Sequence, residues 1–165
     1  MREVHRNCAR CWSRRLSMPD AQKKPILLVE DSDEDAALFQ IALKQADVTN
    51  QVIRVKTGEE AVAYLEGMEP FSGQLHPRPG VLILDLKLPG ISGFAVLEWL
   101  KMQAQLQGIL VIVASGYQEL REVRRAYASG ARSFLIKPVN ELEIRNMVRG
   151  FPGYWQCPGD HLEGR

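Results

Sequence analysis

Residues 81–90 read VLILDLKLPG: four apolar residues, Asp85, Leu86, Lys87, Leu88 and the turn pair Pro89-Gly90. A short apolar run bounded by a turn signal predicts a strand buried on both faces. Such a strand needs helices above and below it, which implies a parallel sheet. The run also delivers one carboxylate, Asp85, to the point where the strand ends.

The rest of the chain repeats this pattern. PILLVE (25–30) predicts a strand and DEDAALFQIALKQA (33–46) a helix, with Leu38, Ile41 and Ala42 at helical spacing. Ser32 with Asp35 three residues on resembles a capping box. QVIRV (51–55) alternates like a strand, and Thr57 with Glu60 forms a second box opening GEEAVAYLEG. A loop rich in proline and glycine, GMEPFSGQLHPRPG (67–80), leads to VLILD (81–85). Ser92 is placed to cap GFAVLEWLKMQ, where Phe94, Leu97 and Leu100 share a face. ILVIVAS (109–115) is another buried strand. QELREVRRAYASG puts Leu120, Val123 and Tyr127 on one stripe and stops at Gly130. SFLIKP (133–138) and NELEIRNMVRG, capped by Asn140 and Glu143, complete the series. Five βα units predict an α/β sheet of parallel strands with right-handed crossovers.

Bulk properties agree. A chain of 165 residues, 45% hydrophobic and 25% charged, suits one domain with tails. The apolar runs are strand-sized, far below the roughly 20 residues that span a bilayer. No stretch reads as a signal peptide, so a cytoplasmic protein without membrane contact is expected. The net charge of +1 conceals an asymmetry. Residues 1–24 carry seven basic and two acidic side chains, a surplus of five, which leaves −4 for the remainder. The part expected to fold is mildly acidic and gives no general case for nucleic acid. Residues 1–24 lack periodicity and are expected to form a disordered basic arm, with Met18-Pro19 as an alternative start. His5, Cys8 and Cys11 fall short of a tetrahedral metal set. With Cys157 they make a poor disulfide framework.

Chemistry in open parallel sheets lies at the carboxyl ends of the strands. There the sequence places Glu30-Asp31, Asp85, Ser115 and Lys137-Pro138. Three acids at close range disfavour one another's ionised forms. A hard divalent cation such as Mg²⁺ relieves that and needs only a few oxygen ligands. An Asp beside such a cation and a lysine can attack a phosphoryl group, whose oxygens the cation, Lys137 and Ser115 would neutralise.

In ILLVEDSDED, LILDLKLPGISGFAVL, VIVASG and SFLIKPV, the chain resembles the receiver domain of two-component response regulators over residues 25–150. Among these it looks most like the stand-alone regulators paired with phytochrome-type sensor kinases, from its HPRPG loop, its RSFLIKPV stretch and its FPGYW tail. The resemblance implies a flavodoxin-like fold with strand order 2-1-3-4-5 and helices on both faces. It implies that Asp85 accepts a phosphoryl group from a histidine kinase. It implies an Mg²⁺ ion held by Asp31, Asp85 and the Lys87 carbonyl, with Glu30 acting through water. Ser115 and Lys137 would bind the phosphoryl oxygens, the Lys137-Pro138 bond would be cis, and Phe134 would be the aromatic switch. A downstream protein partner is implied, as is a homodimer through the helix 4–strand 5–helix 5 face or the tail. Residues 151–165 are expected to be an aromatic tail, too short for an output domain. Phe151, Tyr154 and Trp155 are expected to fold back or to lie in a dimer interface.

Lys87 and Tyr117 depart from the usual pattern, being bulky where they would govern access to Asp85. Two other readings compete. A phosphatase of the haloacid dehalogenase type needs a second Asp two residues after the first, where this chain has Lys87. A receiver-like module that binds partners without phosphorylation is disfavoured by the intact acid set, Ser115 and Lys137. No glycine pattern for nucleotide phosphates is present.

Overall fold

The computed structural model describes residues 24–68, 70–71, 77–116 and 119–158. Within them, strands and helices alternate: β1 (Ile26–Val29), α1 (Asp33–Gln45), β2 (Val52–Val55), α2 (Gly58–Glu66), β3 (Val81–Leu84), α3 (Gly93–Lys101), β4 (Leu110–Ser115), α4 (Leu120–Ala128), β5 (Ser133–Ile136) and α5 (Glu141–Gly150). The sheet runs β2-β1-β3-β4-β5 with every pair parallel, as the sequence predicts.

Successive residues of a strand face opposite layers, and here both layers are apolar. Ile26 and Leu28 of β1, with Val81 and Ile83 of β3, pack under α1 and α5. Leu27, Val29, Leu82 and Leu84 pack against α2, α3 and α4. This double burial is the reason the strands read as unbroken apolar runs. The register pairs Val29 with Leu84, so β1 and β3 end level with one another, and Leu84 with Val113, so β4 runs two residues further to Ser115. The ladder continues one step further, with Glu30 donating to the Val55 carbonyl at 3.0 Å and Asp85 to the Val29 carbonyl at 3.1 Å.

Two helix faces differ from the sequence reading. In α1 the buried stripe is Ala36, Phe39, Ala42 and Leu43, while Leu38 and Ile41 are 40% and 49% exposed. The helix carries two apolar stripes, and the sheet takes the one bearing Phe39. In α4 only Ala126 is fully buried, and Leu120 and Tyr127 point outward. Part of that helix's hold on α3 is polar: the Arg125 guanidinium lies 4.1 Å from the centre of the Phe94 ring. Phe94 is accordingly half-buried, and Val96, Leu97 and Leu100 form the inner face of α3.

The capping residues follow the sequence, but the Thr57 box stays half-made, because the Glu60 carboxylate accepts from the Lys56 N–H. Thr57 and Ser92 accept from the backbones of Glu60 and Ala95. Asn140 and Glu143 form a reciprocal capping box. Trp99 packs against the α2–α4 layer, and Tyr64 packs edge-on against Phe71.

The aromatic tail folds back. Trp155 is 2% exposed within the α1–α5 layer, with Phe151 and Tyr154 packed beside it. Buried Asn50 fastens this segment, donating to the carbonyls of Lys24 and Tyr154 and accepting from the Gln156 N–H. The expected basic arm, with His5, Cys8 and Cys11, lies outside the described residues apart from Lys24. Among the described residues no helix is long and apolar enough to cross a membrane.

Candidate functional site

Three strand ends supply the site. β1 leads into Glu30 and Asp31, β3 into Asp85 and β5 into Lys137. Glu30 and Asp85 are only 3% and 7% exposed, while Asp31 is exposed. Oxygens of all three carboxylates lie within 4.8 Å of one another.

Each buried oxygen is engaged. Asp85 Oδ1 accepts from the Lys87 N–H at 2.9 Å, and Oδ2 accepts from Lys137 Nζ at 2.6 Å. Glu30 Oε1 accepts from the Ser32 N–H at 3.1 Å, and Oε2 pairs with Lys137 Nζ. Burial pushes the Glu30 carboxyl above its ordinary value; the Lys137 bond pulls it back, and the Asp85 charge adds to the rise. Burial alone would lower the Lys137 ammonium, but its bonds to Asp85 and Glu30 outweigh that and hold it above the ordinary lysine value. Lys137 is therefore a permanent cation set among acids.

Three further placements bear on the site. Ser115 ends β4 in a buried position, and its carbonyl accepts from the Lys137 N–H at 3.0 Å. The Lys137–Pro138 bond is cis. Phe134 of β5 is half-buried on the α2–α4 side, two strands from Asp85. The Lys87 side chain is exposed. Tyr117 lies outside the described residues.

Sequence reasoning missed three residues that shape the site. Arg54 of β2 donates to the main-chain carbonyls of Glu30 and Asp31 and pairs with Asp33, so it clamps the loop that carries the acids. Its signal was one charged residue inside an alternating strand. Asp35, read only as half of a cap, sends its carboxylate to Lys137 Nζ at 3.1 Å. Gly93 packs so closely under the Asp85 carbonyl that a side chain there would collide with it.

The donor set fits a hard divalent cation: three carboxylates converge, all ligands are oxygen, and a single ammonium offsets them.

The family model of the response regulator receiver domain matches residues 26–149. The chain belongs to this family. Response regulator Rcp1 of Synechocystis sp. is 33% identical to this receiver over 132 residues, covering 80% of this chain and 88% of Rcp1. Among solved structures, the bacteriophytochrome response regulator RtBRR overlays with a TM-score of 0.74 at 33% identity, covering 82% of each chain. The phosphorylated cyanobacterial phytochrome response regulator RcpA overlays at 0.66 and 31% identity, covering 82% of this receiver and 99% of RcpA. The Mn²⁺-bound form of Rcp1 has the same TM-score, identity and coverage. The receiver is thus similar to phytochrome response regulators, in keeping with the kinship read from its loop and tail.

Proposed function

We propose that this receiver carries a phosphoryl group on Asp85, taken from a phosphohistidine of a sensor kinase, and signals through the resulting change of shape. The observation that carries the reading is the Asp85 carboxylate itself. It stands at the end of a rigid buried strand, beside Glu30 and Asp31, with Lys137 Nζ 2.6 Å from Oδ2. An Asp85 oxygen attacks the phosphorus; the new O–P bond forms as the P–N bond to the kinase histidine breaks, and its electron pair returns to the imidazole.

Asp31, Asp85 and the Lys87 carbonyl would hold Mg²⁺, with Glu30 acting through water. A bound divalent cation supplies charge neutralisation for the phosphoryl oxygens. Lys137 pairs with a phosphoryl oxygen, and the Ser115 hydroxyl donates to another. Phe134, on the strand paired with β4, follows Ser115 inward and passes the change to α4 and β5. These neighbouring elements leave Leu120, Tyr127 and Ile136 exposed, an apolar surface suited to a protein partner or a second copy. The names of RtBRR and RcpA point to a phytochrome-type kinase as the donor.

The test is intact mass after incubation with Mg²⁺ and acetyl phosphate, for the parent and for Asp85→Asn. The expected result is a gain of one phosphoryl group by the parent alone. No gain by a parent that binds Mg²⁺ would overturn this reading in favour of a module that binds partners without phosphorylation.

A further inference from the structure

The Lys137 ammonium has three N–H donors, and three carboxylates receive them: Glu30, Asp85 and Asp35. Glu30 and Asp85 belong to the converging acid cluster; Asp35 does not. A cation entering that cluster draws on two of the carboxylates that Lys137 holds. The Lys137 side chain is only 12% exposed, and a buried ammonium left without partners is costly.

Local structure aims Asp35 at this task. It occupies the third position of α1, where the carboxylate of a full capping box turns back to the N–H of the capping residue. Here the Ser32 Oγ still accepts from the Asp35 N–H at 3.2 Å, but the Ser32 N–H goes to Glu30 Oε1 instead. The box is left half-made, and the Asp35 carboxylate crosses to Lys137 Nζ. Its side chain is 38% exposed, so water reaches it while Lys137 does not depend on water.

We propose that Asp35 is a positioning residue: it gives the Lys137 ammonium an acceptor outside the cation's ligand set, so that Lys137 can release Glu30 and Asp85 without being left unpaired. The proposal rests on the cation-dependent receiver reading above. It differs from the plain role of an acid in a helix's first turn, which Asp33 and Glu34 share and which serves stability alone.

The test measures Mn²⁺ affinity of the full chain from the electron paramagnetic resonance of the free ion. Asp35→Asn is expected to weaken binding about fivefold, and Asp35→Glu to recover most of that loss. In a Lys137→Met background, Asp35→Asn is expected to change affinity less than about twofold, because the residue it serves is gone. Unchanged affinity in Asp35→Asn overturns the proposal. So does a full loss that persists in Lys137→Met, which would mark a field effect without Lys137. Should Lys137→Met fail to fold, the Glu variant decides, and failure of Asp35→Glu to recover affinity overturns the proposal. A folded parent that takes up no Mn²⁺ overturns the cation reading itself, and this proposal with it.

Discussion

The Arg54 guanidinium donates through Nε to the main-chain carbonyl of Glu30 at 2.9 Å. The same group reaches the Asp31 carbonyl at 3.1 Å and the Asp33 carboxylate at 2.7 Å. One planar fork from β2 thus sets the backbone that presents the acids. Arg54→Ala is expected to cost about 1–2 kcal/mol in urea unfolding, since it leaves main-chain acceptors short of donors. It should also weaken divalent-cation binding severalfold. Arg54→Lys should recover little of either loss, because one ammonium cannot span both carbonyls.

A β-carbon at position 93 would fall on the Asp85 carbonyl oxygen and 2.7 Å from Leu86 Cα. Both are backbone atoms at the end of β3, so the strand end must shift to admit it. Gly93→Ala is expected to destabilise by about 2–4 kcal/mol despite the helix preference of alanine. It should also slow labelling of Asp85 by acetyl phosphate, read by mass at fixed times in a buffer where the variant stays folded.

Asn50 holds the returning tail through three side-chain bonds, to the Lys24 and Tyr154 carbonyls and the Gln156 N–H. Asn50→Ala leaves those groups unpaired and is expected to cost about 2–4 kcal/mol. Trp155→Ala opens a cavity in the α1–α5 layer and should cost about 3–5 kcal/mol. Chemical denaturation of each variant checks both values, and a tail without structural weight would leave the midpoints unmoved.

Burial raises the Tyr64 phenol above its ordinary value of 10.0, and its hydroxyl donates to the Pro77 carbonyl at 3.0 Å. A raised folded value means that the unfolded chain loses this proton first. The stability it confers is therefore fully present below about pH 10 and is lost as pH rises through the folded value. Urea midpoints should fall more steeply above about pH 10 in the parent than in Tyr64→Phe. Absorbance of phenolate in the folded protein should show one tyrosine, absent from Tyr64→Phe, that titrates late.

The five βα units, the parallel sheet and its acid-bearing strand ends were all legible in the sequence. The apolar runs betray double burial, and a residue after a buried strand can only stand at the sheet's edge. The caps at Thr57, Ser92 and Asn140 were legible for a related reason, since capping is a contact across three residues. Contacts of longer range were not. Leu38 and Ile41 look as apolar as Phe39 and Leu43, and only docking of α1 against the sheet selects between the two stripes.

What the sequence determined by itself is the architecture, the family and the set of residues gathered at one rim. Periodicity, capping and strand-end position are local properties of a chain. Only the tertiary structure decided that Arg54 clamps the acid loop, that Trp155 enters the core and that Asp35 turns from its cap to Lys137. Each of those contacts joins residues far apart in the chain, where side-chain reach and burial, and not spacing, settle the partner.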